Sequence, residues 1–148
     1  MMDISPLTEA GLTRVLANLT SEDRAEFDAS GLAESIEAVF TDGWLKSSLS
    51  GQVELDGEPV AIFGCLQNDA GLGVPWMVAT PGFRTRPRRA MELSHQVVQA
   101  MQARCRVLTN WVHARHDYAM RWLPRLGFKI SAESVGPGGE FRLFTWSA

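Results

Sequence analysis

Apolar residues at Leu12, Val15, Leu16 and Leu19 recur at the spacing of one helical face, and Thr8 stands where an N-cap belongs. A second, acidic helix is predicted over 21–27, opening at Ser21. Leu32, Ile36, Val39 and Phe40 mark a third, with Gly43 as the C′ residue that would end it. The pattern then changes period. Residues 52–55 alternate and run into Asp56-Gly57, a hairpin dipeptide. Residues 60–66 are apolar on both faces, as in a central strand. Asn68-Asp69-Ala70-Gly71 reads as a turn, and 74–80 as a further strand closed by Pro81-Gly82. Pro87 suits the first position of a helix, in which Ala90, Leu93, Val97 and Met101 oppose Gln96, Gln99 and Gln102. Residues 107–114 form another strand. Asp117 then caps a short helix with Ala119, Trp122, Leu123 and Leu126 on one face and Gly127 at its end. Pro124 lacks an N–H and crowds the preceding turn, so this helix is expected to kink or stop close to Leu123. Strands at 129–135 and 140–146, joined by Gly136-Pro137-Gly138-Gly139, close the chain.

This order predicts an α+β fold: a mixed, mostly antiparallel sheet of about six strands with helices on both faces. At 148 residues the natural partition is one domain, 1–148. Hydrophobic residues make up 45% and charged residues 21%, which excludes disordered and fibrous classes. No apolar run is long enough to span a bilayer. The opening Met1-Met2-Asp3-Ile4-Ser5-Pro6 has neither the basic flank nor the apolar segment of a signal peptide, which predicts cytoplasmic folding. Cys65 and Cys105 make no disulfide framework, and Cys65 reads as a buried thiol. His113 and His116, with Asp117, have a metal-like spacing, but at a strand end their rings diverge and no second carboxylate is near, so no metal is expected. Trp76, Trp111 and Trp122 belong to the core, leaving Trp44 and Trp146 for the surface.

Charge is divided unevenly. Residues 1–74 carry 13 acids and 3 bases, net −10; residues 75–148 carry 4 acids and 11 bases, net +7. The bases are 12 Arg and 2 Lys. Guanidinium forks suit phosphate, so a phosphate-bearing ligand near the second half is one explanation, and pairing of the two halves across the fold is the other.

Two passages carry a resemblance: residues 74–84, Val-Pro-Trp-Met-Val-Ala-Thr-Pro-Gly-Phe-Arg, and residues 116–128, which end in Leu126-Gly127-Phe128. With the order of elements, they resemble the GCN5-related N-acetyltransferase (GNAT) superfamily over nearly the whole chain. Within it, Asn110-Trp111-Val112, Arg121-Trp122-Leu123, Leu126-Gly127 and residues 140–145 look like a family of small internal virion proteins from short-tailed phages.

The superfamily resemblance implies acetyl-CoA, held between two parted parallel strands and by a glycine loop at a helix N-terminus. Val78, Thr80, Arg84, Arg86, Arg88 and Arg89 are the cofactor-binding candidates. Pro87 and Arg89 stand where the loop glycines are expected, so the arginines would replace main-chain donors. The same cluster also suits a nucleic acid, a carboxylate partner or plain solvation. The family's acid tyrosine falls at Leu123, which leaves Tyr118, the single tyrosine, as the acid candidate. His116 occupies the place of a cofactor-contacting Asn and is the second catalytic candidate. Glu54, Glu58 and Asp69 are candidate bases, and His95 reads as structural. The phage resemblance and the missing glycines and tyrosine imply a protein with weak or no acetyltransferase activity. It would be made in the bacterial cytoplasm and end among other virion proteins. An active acetyl-CoA-dependent N-acetyltransferase and a nucleic-acid-binding module are the alternatives.

Overall fold

A computed structural model describes residues 1–148. Seven strands form one sheet in the order β1-β2-β3-β4-β5-β7-β6. They are β1 (Met2–Ser5), β2 (Leu49–Leu55), β3 (Glu58–Gln67), β4 (Leu72–Ala79), β5 (Val107–His113), β6 (Lys129–Ile130) and β7 (Phe141–Ser147). The helices are α1 (Glu9–Ala17), α2 (Ser21–Ala29), α3 (Ile36–Lys46), α4 (Pro87–Gln102) and α5 (Asp117–Arg125). Every strand contact is antiparallel except β4 with β5.

The strand beyond the expected six is β1, which pairs Met2 with Leu55 through Ser5 with Gln52. It has four residues and only Met2 is buried, so its sequence carries no alternation to read. The expected strand over 129–135 shrinks to Lys129–Ile130, with a lone bridge from Val135 to Phe141. Gly136 and Gly138 take positive φ in this connection, which curls into a 3-10 turn instead of a tight hairpin. α3 does not stop at Gly43 but runs on to Lys46. The cap of α5 is the His116 side chain, one residue before the expected Asp117.

Pro124 sits in the last turn of α5, and the helix stops at Arg125. Gly127, at φ 97°, lets Phe128 N–H reach Leu123 O at 3.2 Å and its own N–H reach Pro124 O at 3.1 Å. This is a Schellman ending, and Leu123 and Phe128 share one core cluster beneath it.

Two layers of helix cover the sheet. Leu12, Val15 and Leu16 of α1 and Ile36 of α3 pack on Ile62 and Val78. On the other face, Ala90 and Leu93 of α4 pack on Val53, Ala61, Phe63 and Ala79. Val98 and Met101 of α4 and Leu123 of α5 pack on Cys65, Leu108, Val112 and Phe144. β3 is the central strand, buried from Val60 to Cys65. Trp76 lies flat over Gly64, where a Cβ would come within 2.5 Å of the indole. Trp111, expected in the core, is 46% exposed, because it points to the face opposite Val112, where the α1–α3 cluster does not extend over β5 and β7. Trp44 and Trp146, expected at the surface, are half-buried.

Candidate active site

β4 and β5 pair only at Leu72 with Val107 and Gly73 with Leu108, and then separate. Gly73 makes that apex. A Cβ there would lie 2.7 Å from Cys105 Sγ and Leu108 Cδ2 and 2.9 Å from Cys65 Sγ. Both thiols are free and buried, and burial, then the neighbouring Cys105, pushes Cys65 up to about 12. One step along, Asn110 Nδ2 donates to Pro75 O at 2.7 Å and ties the two strands together. Beyond that tie the strands leave a wedge.

Register decides which groups face it. Thr80 N–H donates to Val60 O at 2.8 Å, so the main-chain groups of Val78 and Thr80 point to β3. The groups turned to the wedge belong to Met77 and Ala79, one residue off the two that the sequence suggested. On the far wall, Ala114 N–H donates to Glu140 O, so His113 presents its N–H to the wedge.

A cavity of about 310 Å³ runs through the wedge from one face of the sheet to the other. Its walls include Met77, Val97, Trp122 and Phe27, with Asp23, Glu26, Arg84, Asn110, His116 and Tyr118 as polar groups. Trp122 Nε1 is buried with no acceptor.

The wide end is closed by the acidic helix. Asp23 Oδ2 accepts from Ala79 N–H at 2.8 Å, and Thr20 N–H donates to Ala79 O at 3.0 Å. Glu26 Oε2 accepts from His113 N–H at 2.7 Å on the opposite wall. Glu22 bridges Arg84 at 2.7 Å and accepts from Tyr118 N–H at 3.3 Å. Burial, and then the charge of Asp23, raise Glu26 above the usual carboxylate range against the pull of His113 N–H and His116. Burial would raise Glu22 as well, but Arg84, Tyr118 N–H and His116 together hold it low.

His116 is only 5% exposed, and both ring nitrogens are engaged. Nδ1 accepts from Ala119 N–H at 3.1 Å, capping α5, so Nε2 carries the proton and donates to Asp23 Oδ1 at 2.6 Å. Burial alone would lower its pKa. The Asp23 hydrogen bond and the charges of Glu26, Asp23 and Glu22 outweigh burial and raise it. Tyr118 lies under the Arg84 guanidinium, 3.9 Å from its ring centroid, and stacks on Trp122. Burial is the main reason its hydroxyl is raised, so it keeps its proton at neutral pH.

The structure thus brings Arg84, His116 and Tyr118 together at the wedge. Arg86 and Arg88 are exposed at the start of α4, which has no side-chain cap. Arg89 turns the other way, donating to Met2 O and pairing with Asp3 and Glu92. The candidate bases stand apart from the cavity. Glu54 hydrogen-bonds Ser5 and Gln52, Glu58 pairs with Arg14, and Asp69 lies in the β3–β4 turn. Leu123, at the place of the family acid, is buried in the core. Sequence reasoning missed Glu22, Asp23, Glu26 and Asn110. One signal for the first three was present: 21–27 has no apolar face apart from Phe27, so only polar contacts could dock it.

A mixed sheet split between two parallel strands, with helices on both faces, is the fold of the GCN5-related N-acetyltransferases. Solved structures show the same likeness. The ribosomal-protein-S18-alanine N-acetyltransferase of Escherichia coli superposes with a TM-score of 0.71 at 16% identity, covering 99% of this chain and 94% of that one. Ard1 from Thermoplasma volcanium gives 0.69 at 14%, covering 98% and 95%. The aminoglycoside acetyltransferase AAC(6')-Ib, in complex with ribostamycin and coenzyme A, gives 0.69 at 13%, covering 99% and 93%. No family model matches the sequence, and no curated protein does.

Proposed function

We propose that the protein is an acetyl-CoA-dependent N-acetyltransferase. The observation that supports this most is the loss of pairing between β4 and β5 after Gly73 and Leu108, with a cavity running between them. A narrow, mostly apolar slot with edge main chain on its walls suits an extended amide arm. Trp122 Nε1, buried without an acceptor, is a further polar group that such an arm could satisfy. The fold neighbours include a protein solved with coenzyme A.

Bound acetyl-CoA would supply an activated acyl group. The chain's own residues do the rest. Arg86 and Arg88, at the α4 start where the first-turn N–H groups of Arg88 and Arg89 have no helical acceptor, hold the anionic end. Met77, Val97 and Trp122 wall the arm. As the amide C–N bond forms and the C–S bond breaks, Tyr118, kept protonated by burial, gives its proton to the departing thiolate, and the proton lost by the attacking amine passes through solvent and restores the hydroxyl. His116 is a positioning residue: it holds Asp23 and the start of α5, with neither ring nitrogen free for substrate.

Calorimetric titration with acetyl-CoA tests binding, and thiol release with a panel of amines tests transfer. Micromolar binding is expected, weakened at least tenfold in Arg86→Ala/Arg88→Ala. Tyr118→Phe should lower turnover by about 10²-fold with little change in cofactor affinity. Absence of binding at millimolar acetyl-CoA refutes the reading.

A second reading is supported by the loop that has Pro87 and Arg89 for glycines, and by the resemblance of residues 107–145 to phage internal virion proteins. It makes the chain a GNAT-fold virion component, made in the bacterial cytoplasm, with little or no transfer. Lack of acetyl-CoA binding together with co-purification in virions would favour it. Salt-sensitive binding to duplex DNA without acetyl-CoA affinity would instead favour a nucleic-acid partner.

A further inference from the structure

We propose that α2 is a built-in occupant of the wedge, a clasp that an acyl-CoA must displace before its amide arm can pair with β4. This rests on the acetyl-CoA reading above and adds a conformational step to it.

Asp23 and Glu26 lie three apart, so they share one face of α2. From that face they reach opposite walls: Asp23 takes the N–H of Ala79 on β4, and Glu26 takes the N–H of His113 on β5. Thr20, the α2 cap, gives its N–H to Ala79 O. Both main-chain groups of Ala79 are therefore satisfied by α2, as an adjacent strand would satisfy them. The groups of Val78 and Thr80 are turned to β3, so an extended amide chain lying along β4 has those of Met77 and Ala79 to pair with, and at Ala79 it meets the contacts of α2. One N–H and one C=O cannot serve both occupants.

The clasp is also built to come away. The only buried residue of α2 is Asp23. Its apolar hold is Phe27, tilted against Phe40 at 6.2 Å. What fixes it is polar: Glu22 to Arg84 and Tyr118 N–H, Asp23 to Ala79 and His116, and Glu26 to His113. Elements with little apolar burial open at low free-energy cost. Apparent affinity for the acyl-CoA is then the intrinsic affinity scaled by the fraction of molecules whose α2 has withdrawn.

Hydrogen exchange on the wild-type protein, with and without saturating acetyl-CoA, reads this directly, and calorimetry on Asp23→Ala/Glu26→Ala reads it energetically. Expected results are at least tenfold faster exchange at the 24–30 amides on binding, with Ala79 still protected, and a Kd at least tenfold lower in the double variant. Binding by the double variant alone would support the clasp at full strength. Binding to wild type with α2 protection unchanged would overturn the clasp and leave the transferase reading intact. Binding to neither protein would remove the transferase reading, and displacement with it. Where the double variant does not fold, the wild-type exchange data decide alone.

Discussion

His116 joins three elements through one ring: it caps α5, holds Asp23 of α2, and sits at the end of the loop that follows β5. Its protonation has two opposed effects. A second proton on Nδ1 would expel Ala119 N–H and uncap α5, but it would also face Glu22 Oε2 at 3.9 Å and strengthen the bond to Asp23. Three carboxylates against one backbone N–H give the sign, a raised pKa. A histidine raised on folding adds stability that is complete below its ordinary value of 6.5 and fades as pH rises through the folded value. Urea midpoints of the wild type should therefore fall between pH 6 and pH 8. His116→Asn keeps a capping oxygen and removes the titration, so its midpoint should stay level over that window. His116→Ala should cost about 1 kcal/mol more than His116→Asn through the lost cap. A wild-type midpoint that is level or rises over the same range would show that burial wins at this ring.

At the scale of elements, the sequence was most legible where an apolar face was present and least where polar contacts or close approach decided. α1, α4, β3 and β4 follow from periodicity, because burial against the sheet enforces it. β1 escapes it, because a four-residue edge strand has no period to show, and β6 on the opposite edge is only two residues long where a strand over 129–135 is expected. α2 was seen as a helix, but its destination was not, since the partners of Glu22, Asp23 and Glu26 lie far along the chain. Gly43 is the instructive error. A glycine after an apolar run reads as a helix end, yet α3 continues because Trp44 packs onto the α1 cluster and Lys46 pairs with Asp42 at 3.0 Å. Nothing lies within 4 Å of a Cβ at Gly43. Gly43→Ala should then stabilise the protein by about 0.5–1 kcal/mol through helix propensity alone. A chemical denaturation midpoint that drops would mean that this glycine has a role outside α3.

Over the whole molecule, the unequal charge of the two halves of the chain becomes a difference between the two faces of the sheet. The acidic half supplies α1, α2 and α3; the basic half supplies α4 and α5. Part of the imbalance is cancelled inside the fold, by Glu22 with Arg84, Asp3 with Arg89, and Asp23 with His116. Pairing of the two halves across the fold therefore accounts for part of the charge. What is left over is spread: among the exposed bases with no acid partner, Arg24, Arg104, Arg106, Arg115 and Lys129 are scattered along the chain, whereas Arg86 and Arg88 at the start of α4 and Arg121 and Arg125 of α5 belong to the helices of one face. An anion approaching from that face meets a positive field, whereas one approaching α2 meets Glu22 and Glu26, with Arg24 beside them. Acyl-CoA should enter on the α4–α5 side with its phosphates last to lose water. Exposed charges are screened within about 10 Å at 0.1 M salt, so the attraction has a measurable signature. Acetyl-CoA affinity should fall steadily as NaCl is raised from about 0.05 to 0.5 M, a range over which screening shortens severalfold. The slope should be shallower for dephospho-CoA, which has fewer charges, and shallower again in Arg86→Ala/Arg88→Ala. An affinity that ignores salt would place the phosphates elsewhere and leave these four arginines as a solvated face.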